Sequence, residues 1–122
     1  LLGSDGSLLR EETVELQEDV QTFTFEGLDE APLPSLLRGF SAPVKLKSEV
    51  TPDQLAFLAA NDDDPFNRWD ASQQLYTSAL LKLVASYQAS GGDESKLELD
   101  ESVVAAFGAT LADSALDPSL RA

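Results

Sequence analysis

At Thr51 the hydrophobic pattern of this chain changes period, and the change restricts the possible folds severely. Before it, apolar residues alternate over short runs, the spacing of strands; after it they recur every three to four positions, the spacing of helices. Thr51-Pro52-Asp53-Gln54 supplies an N-cap threonine, a proline at the first helical position and a capping-box glutamine. The expected class is α+β, strands first and helices second, with the boundary at Glu49-Val50-Thr51 and no flexible linker between the parts.

The first part has the punctuation of short antiparallel strands. Ser4-Asp5-Gly6-Ser7, between Leu1-Leu2 and Leu8-Leu9, reads as a hairpin turn, since Asp-Gly readily adopts positive φ. Thr13-Val14-Glu15-Leu16 alternates, and Val20-Gln21-Thr22-Phe23-Thr24-Phe25 puts Phe23 and Phe25 on one predicted core face. Gly27 breaks that run, and Ala31-Pro32-Leu33-Pro34 is too rich in proline for a central strand. Ser35 to Phe40 and Val44 to Ser48 can extend again on either side of Pro43. Short strands so closely spaced predict one part of an antiparallel β-sandwich.

The second part reads as helices joined by short loops. Leu55, Leu58 and Ala59 share one side of the first, which ends at Asn61 before three aspartates. Asp64-Pro65 repeats the cap-then-proline signal. Trp69, Ser72, Leu75, Tyr76, Ala79, Leu80, Leu83, Val84 and Tyr87 then keep helical spacing until Gly91-Gly92 stops the helix. Asp100 can cap a third helix with Val103, Val104, Phe107 and Leu111 inward, and Asp117-Pro118 announces a fourth. Such helices predict stacked antiparallel hairpins, the beginning of a bundle or superhelix.

Charge and composition remove several classes of function. The net charge is −14, and the eight basic residues are scattered, so no electropositive stripe faces nucleic acid and the field repels an anionic membrane. No apolar run approaches the span of a bilayer. Residues 1–60 and 61–122 each hold eleven acids and four bases, an even acidity that reads first as solubility. The chain has no Cys and no His, which removes disulfides, thiolate nucleophiles and the commonest general base and metal ligands. A cytoplasmic origin fits. Leu1-Leu2-Gly3-Ser4-Asp5 lacks a basic n-region, and no Met opens the chain, so a piece of a longer protein is expected.

The remaining chemical candidates each have a simpler structural reading. Asp62-Asp63-Asp64 is the densest carboxylate run, yet it lacks the ligand spacing of a calcium loop, and helix capping accounts for at least one of its members. Glu11-Glu12 and Asp100-Glu101 read as solvated charge rather than as an acid/base pair. Ser35, Ser41 and Ser72 lack a histidine partner; Trp69, Tyr76 and Tyr87 fit core packing better than a binding groove. No catalytic, cofactor-binding or metal-binding residue is assigned.

Pro34-Ser35-Leu36-Leu37-Arg38-Gly39-Phe40-Ser41-Ala42-Pro43-Val44-Lys45-Leu46 and Asp64-Pro65-Phe66-Asn67-Arg68-Trp69-Asp70-Ala71-Ser72-Gln73 closely resemble blocks of the bacterial aminopeptidase N (alanyl aminopeptidase) family of zinc metallopeptidases. Phe23-Thr24-Phe25, Val103-Val104-Ala105-Ala106-Phe107 and Asp117-Pro118 fall in that family's order. The resemblance implies residues 1–50 as part of an Ig-like β-sandwich domain, with its first strands missing, and residues 51–122 as the first helices of a C-terminal helical domain. It implies a non-catalytic structural fragment: the sandwich a strut, the helices helping to enclose a chamber for peptide substrates. Zinc and the chemistry that removes N-terminal amino acids belong to a catalytic domain upstream, the expected partner together with the rest of the helical domain. Exposed edges at the cut ends predict self-association of the isolated fragment. The alternative is a free-standing acidic Ig-like protein-binding module, and a weaker third reading is a calcium-dependent adhesion piece.

Overall fold

Three α-helices occupy the second half of the chain in the computed structural model, which describes residues 1–114. They are α1 (Pro52–Asn61), α2 (Pro65–Ala89) and α3 (Glu101–Ala112). Each begins on the cap its local sequence provides. The Thr51 hydroxyl accepts the Gln54 N–H at 3.3 Å, and the Thr51 N–H donates to Gln54 Oε1 at 2.9 Å, a reciprocal capping box. Asp64 Oδ1 accepts the Asn67 N–H at 2.9 Å ahead of Pro65, and Asp100 Oδ1 accepts the Ser102 N–H at 2.9 Å. α2 closes in a Schellman motif: the Gly92 N–H donates to the Tyr87 carbonyl at 2.9 Å and the Gly91 N–H to Gln88 at 3.2 Å, with Gly91 at φ +70°.

α1 and α2 form an antiparallel hairpin through a tight corner at residues 62–64, and α3 returns to lie mainly against α1. Leu55, Leu58 and Ala59 meet Ala71, Leu75 and Ala79 across the hairpin, and Val103 and Ala106 of α3 complete the helical core. The alanines let the backbones approach closely around the leucines. The leading segment reaches this core through Leu2, which is fully buried. Leu2 exchanges two backbone hydrogen bonds with Leu33, both 2.8 Å, and forms an antiparallel bridge with Leu8. The turn expected at residues 4–7 does form, and it presses Gly6 (φ +83°) onto α1. A Cβ there would lie 2.8 Å from Asn61 Cβ, so no side chain fits.

The α+β expectation needs correction: among the described residues there is no β-strand, sheet or sandwich, only the isolated bridges Leu2–Leu8 and Leu2–Leu33. Alternation assigns residues to faces but supplies no ladder partner, and a single short hairpin is marginal in water. Phe23, expected in a core, is 37% exposed, and Leu16 and Val20 are 70% and 84% exposed. Ser35 to Phe40 does not extend either, because Arg38–Phe40 winds into a 3-10 turn. Val44 and Leu46 lie in an exposed irregular stretch.

The helical faces also differ in part from the periodicity. Ser72, Leu75 and Ala79 are buried as expected, but Trp69, Leu80, Val84 and Tyr87 are exposed: Val84 and Tyr87 lie where α2 runs on past the end of its partner α1, Leu80 points away from the core beside the buried Ala79, and Trp69, near the start of α2, meets Phe66 instead. In α3 the inward residues are Val103 and Ala106, whereas Val104, Phe107 and Leu111 face outward. The fourth helix expected from Asp117-Pro118 lies outside the described residues.

Leu75→Ala should lower the free energy of unfolding by about 2–5 kcal/mol, the range for removing a buried leucine. Leu81→Ala, on a 64% exposed neighbour, should change it by less than about 0.5 kcal/mol. Urea titrations followed by circular dichroism would measure both.

Hydrogen bonds from Ser102, first its hydroxyl and then its backbone N–H, hold the Asp100 carboxyl below its ordinary value of 3.8. A depressed folded pKa means stabilisation that is present above pH 3.8 and lost as pH falls through the folded value. The drop in melting temperature from neutral pH to below pH 3 should therefore be smaller in Asp100→Asn than in the parent chain. An equal drop would remove Asp100 from the acid response.

Candidate functional site

Polar side chains converge most densely at the corner between α1 and α2. A three-residue connection between Asn61 and Pro65 leaves the last carbonyls of one helix and the first N–H groups of the next to be satisfied within a few ångströms. The three aspartates there take different tasks. Asp62 is the C-cap of α1, its N–H donating to the Leu58 carbonyl at 2.9 Å. Its side chain turns inward, 2% of the residue being exposed, and Oδ1 accepts the Asp64 N–H at 3.0 Å. Asp63 remains exposed. Asp64 uses one oxygen to cap α2 and the other to accept the Gly39 N–H at 2.9 Å.

The cation that answers this cluster comes from the leading segment. Arg38 Nη2 donates to Asp63 Oδ1 at 2.6 Å, Nη1 stands 3.6 Å from Asp62 Oδ1, and Nε stands 3.9 Å from Glu11. Only 15% of the Arg38 side chain is exposed. Burial pulls its pKa down, but the hydrogen bond to Asp63 and the charges of Asp63, Asp62 and Glu11 outweigh burial and raise it above its ordinary value. The cation is therefore fixed in its charged form. Asn67 adds a neutral tie: its Nδ2 donates to Ser35 Oγ at 2.9 Å and to the Leu36 carbonyl at 2.8 Å.

The backbone is bent to reach these partners. Leu37 and Phe40 both adopt left-handed φ, 56° and 55°, a conformation that costs a side-chain-bearing residue about 1–2 kcal/mol. The Phe40 ring stacks on Phe66 with centroids 4.0 Å apart, and Phe66 continues to Trp69 at 5.7 Å. On the opposite side of α2, Arg68 Nε donates to the Ala59 carbonyl at 2.8 Å, and its Nη1 meets Asp113 beyond α3 at 2.7 Å. Two arginines thus clamp the hairpin corner from both sides.

Beside the corner, between residues 33–50 and the hairpin, lies a cleft of about 250 Å³. Its apolar wall includes Leu33, Leu46, Leu55 and Leu58, and its charged residues are Glu49, Asp62 and Asp70.

The other residues weighed from the sequence do not converge. Glu12 accepts two hydrogen bonds from Arg10, 2.9 and 2.6 Å, and Asp100 caps α3. Ser35 accepts from Asn67, the Ser41 N–H donates to the Arg38 carbonyl, and Ser72 Oγ donates to the Arg68 carbonyl. Trp69 and Tyr87 are each 42% exposed rather than in the core, while Tyr76 packs against it and meets Phe107 edge-on. Sequence reasoning missed Arg38, Asn67 and Arg68 as the tie. The signal was present, since these residues lie inside the two sequence blocks that carried the family resemblance, and the structure brings those blocks together.

Arg38→Ala should lower unfolding stability by about 3 kcal/mol, because Asp62 then keeps a buried charge without a counterion. Asp63→Ala, which removes an exposed partner of the same arginine, should cost less than about 1 kcal/mol. Equal losses in chemical denaturation would show that the buried pair is not the stronger element.

Comparison with known proteins places this geometry. Residues 1–49 match the DUF3458 family, described as a domain of unknown function with an Ig-like fold. Residues 52–122 match the DUF3458_C family, described as a domain of unknown function with ARM repeats. The chain is 35% identical to the aminopeptidase N of Caulobacter vibrioides over 100% of its own length and 13% of that protein. It is 40% identical to the aminopeptidase N of Escherichia coli over 84% of the chain and 11% of that protein. With that of Haemophilus influenzae it shares 39% identity over 72% of the chain and 10% of that protein. The chain thus spans about an eighth or less of the length of these curated relatives. It belongs to the aminopeptidase N family, as a segment that joins the DUF3458 and DUF3458_C domains.

Proposed function

We propose that this chain is a non-catalytic structural joint of a zinc-dependent aminopeptidase that removes N-terminal amino acids from peptides. The observation that carries the reading is the match of the whole chain to a short stretch of an aminopeptidase N, combined with a donor set that does not fit the metal. A catalytic zinc takes three protein ligands, His foremost, and this chain has neither His nor Cys. Metal and reaction are therefore assigned to an upstream catalytic domain of the parent chain.

The role left for this segment is mechanical. Residues 1–50 are tied to the helices of residues 51–114 by Leu2, Arg38 and Asn67, so displacement of one part is transmitted to the other. The outward apolar residues Leu80, Leu81 and Val84 of α2, and Val104, Phe107 and Leu111 of α3, suit cover by the remaining helical domain. In that position the helices help enclose the peptide chamber. In the isolated chain the same faces favour self-association, which light scattering against concentration reads directly. No described helix is long and apolar enough to cross a membrane, and the lack of cysteine suits a reducing cytoplasm.

The chain by itself, supplied with zinc and an alanine anilide, should release no product. In the intact protein, Arg38→Ala should shift the ratio of long-peptide to short-peptide turnover severalfold while anilide hydrolysis stays within about twofold. Turnover by the isolated chain would overturn the non-catalytic reading, and a uniform loss on all substrates would overturn the chamber role.

A further inference from the structure

Residues 35–50 cross the helical hairpin as a strap held at both ends. Before it, Leu33 exchanges backbone hydrogen bonds with Leu2; after it, Thr51 closes the capping box of α1. Between these anchors no residue of the strap is fully buried. Among the described residues, its hydrogen bonds to the helices come from residues 35–39 alone and end on residues 63–67: Asn67 to Ser35 and Leu36, Arg38 to Asp63, and Gly39 to Asp64. The Phe40 ring adds its stack on Phe66.

This clasp is strained when closed. Leu37, Gly39 and Phe40 all hold positive φ, two of them against the preference of a residue with a side chain. Arg38 Nη1 and Asp62 Oδ2 are buried and lack a hydrogen-bond partner among the described residues, although Nη1 stands only 3.6 Å from Asp62 Oδ1. A buried ion pair recovers its desolvation cost when it separates into water, so its loss weighs less than the Coulomb attraction alone suggests. Beneath the strap lies the cleft of about 250 Å³ instead of packed side chains, so little apolar contact resists lifting.

We propose that residues 35–50 are a strained strap that opens locally, releasing its clasp on residues 62–67 while the α1–α2 hairpin stays folded. Opening relaxes Leu37 and Phe40 to ordinary backbone, hydrates Arg38 and Asp62, and uncovers the side of the hairpin that bears Leu55, Leu58 and Ala71. Leu2, with its pairing to Leu33, then remains to tie the leading segment to the helices. The chain in this way has a stiff closed state and a looser open one. The opening rests on contacts within this chain alone, whereas its use as a loose state of a joint rests on the mechanical role proposed above. The exchange experiment below can therefore fail while that role stands, and the reverse.

Native-state amide hydrogen exchange of the chain, followed by NMR in increasing sub-denaturing urea, tests the opening. The Gly39 and Ser41 amides, which donate to Asp64 and to the Arg38 carbonyl, should be protected about tenfold less, or weaker still, than those of Leu58 and Leu75. Their protection should also fall with urea at less than about half the slope of the helical amides, because local opening exposes less surface than unfolding. Leu37→Gly relieves the left-handed position and should raise protection of Gly39 and Ser41. Leu37→Val, closer to leucine in size but β-branched, should lower it. Should a Leu37 variant fail to fold, Gly39→Ala replaces it: a Cβ there meets nothing within 4 Å, so the change adds only the backbone cost of φ +61°. It should lower Ser41 protection by about threefold or more. Equal urea slopes for strap and helices would overturn the proposal, since the strap would then open only with global unfolding. Higher protection in Leu37→Val than in Leu37→Gly, the order that packing without strain produces, would overturn it as well, as would unchanged Ser41 protection in Gly39→Ala.

Discussion

A carboxylate removed from water sits where α1 turns into α2, and the guanidinium of Arg38 is the cation that balances it. A buried charge of this kind is tolerable only with a counterion and hydrogen bonds, so its position dictates where Arg38 must be. Arg38 in turn dictates the path of residues 35–40, including two non-glycine residues in left-handed conformation. The leading segment has no ladder of its own, and it is placed by this pair, by the amide of Asn67 and by the burial of Leu2.

That arrangement explains how a helical hairpin with modest internal burial holds the leading segment against it. The contacts that stiffen the corner are charge-assisted and directional, unlike the leucine contacts of the helical core. Arg68 performs the matching task on the far side, tying the Ala59 carbonyl and Asp113 to α2. Corner and core are therefore braced by different physics: hydrophobic burial sets how closely the helices approach, and the ion pairs set the angle at which the leading segment meets them. Leu80 and Leu81 of α2 stay exposed outside both.

Much of the helical half could be read directly. Thr51, Asp64 and Asp100 cap the helices they were expected to cap, and Gly91-Gly92 ends α2 as expected, because capping depends on residues within one turn of each other. The burial of Leu55, Leu58, Ala59 and Leu75 followed from period alone. Tyr87 did not follow it, since periodicity identifies an apolar stripe without showing how far along the helix a partner extends, and Trp69, Val104 and Phe107 did not because it does not fix which side of the stripe the partner meets. The strands predicted for the first half failed for a related reason: Phe23 and Phe25 share a face in the sequence, but a strand exists only when another strand pairs with it.

The sequence by itself therefore determined the helix starts and stops, the acidity, the absence of histidine chemistry and the two blocks of residues that mark the family, all of which are local or compositional. Only the tertiary structure decided that Arg38 meets Asp62 and Asp63, which lie 24 and 25 positions further along the chain, and that Asp62 is buried while Asp63 is not. Three consecutive aspartates are chemically identical. Their different solvation comes from the direction in which the corner between two packed helices points each side chain, and no local pattern encodes that direction.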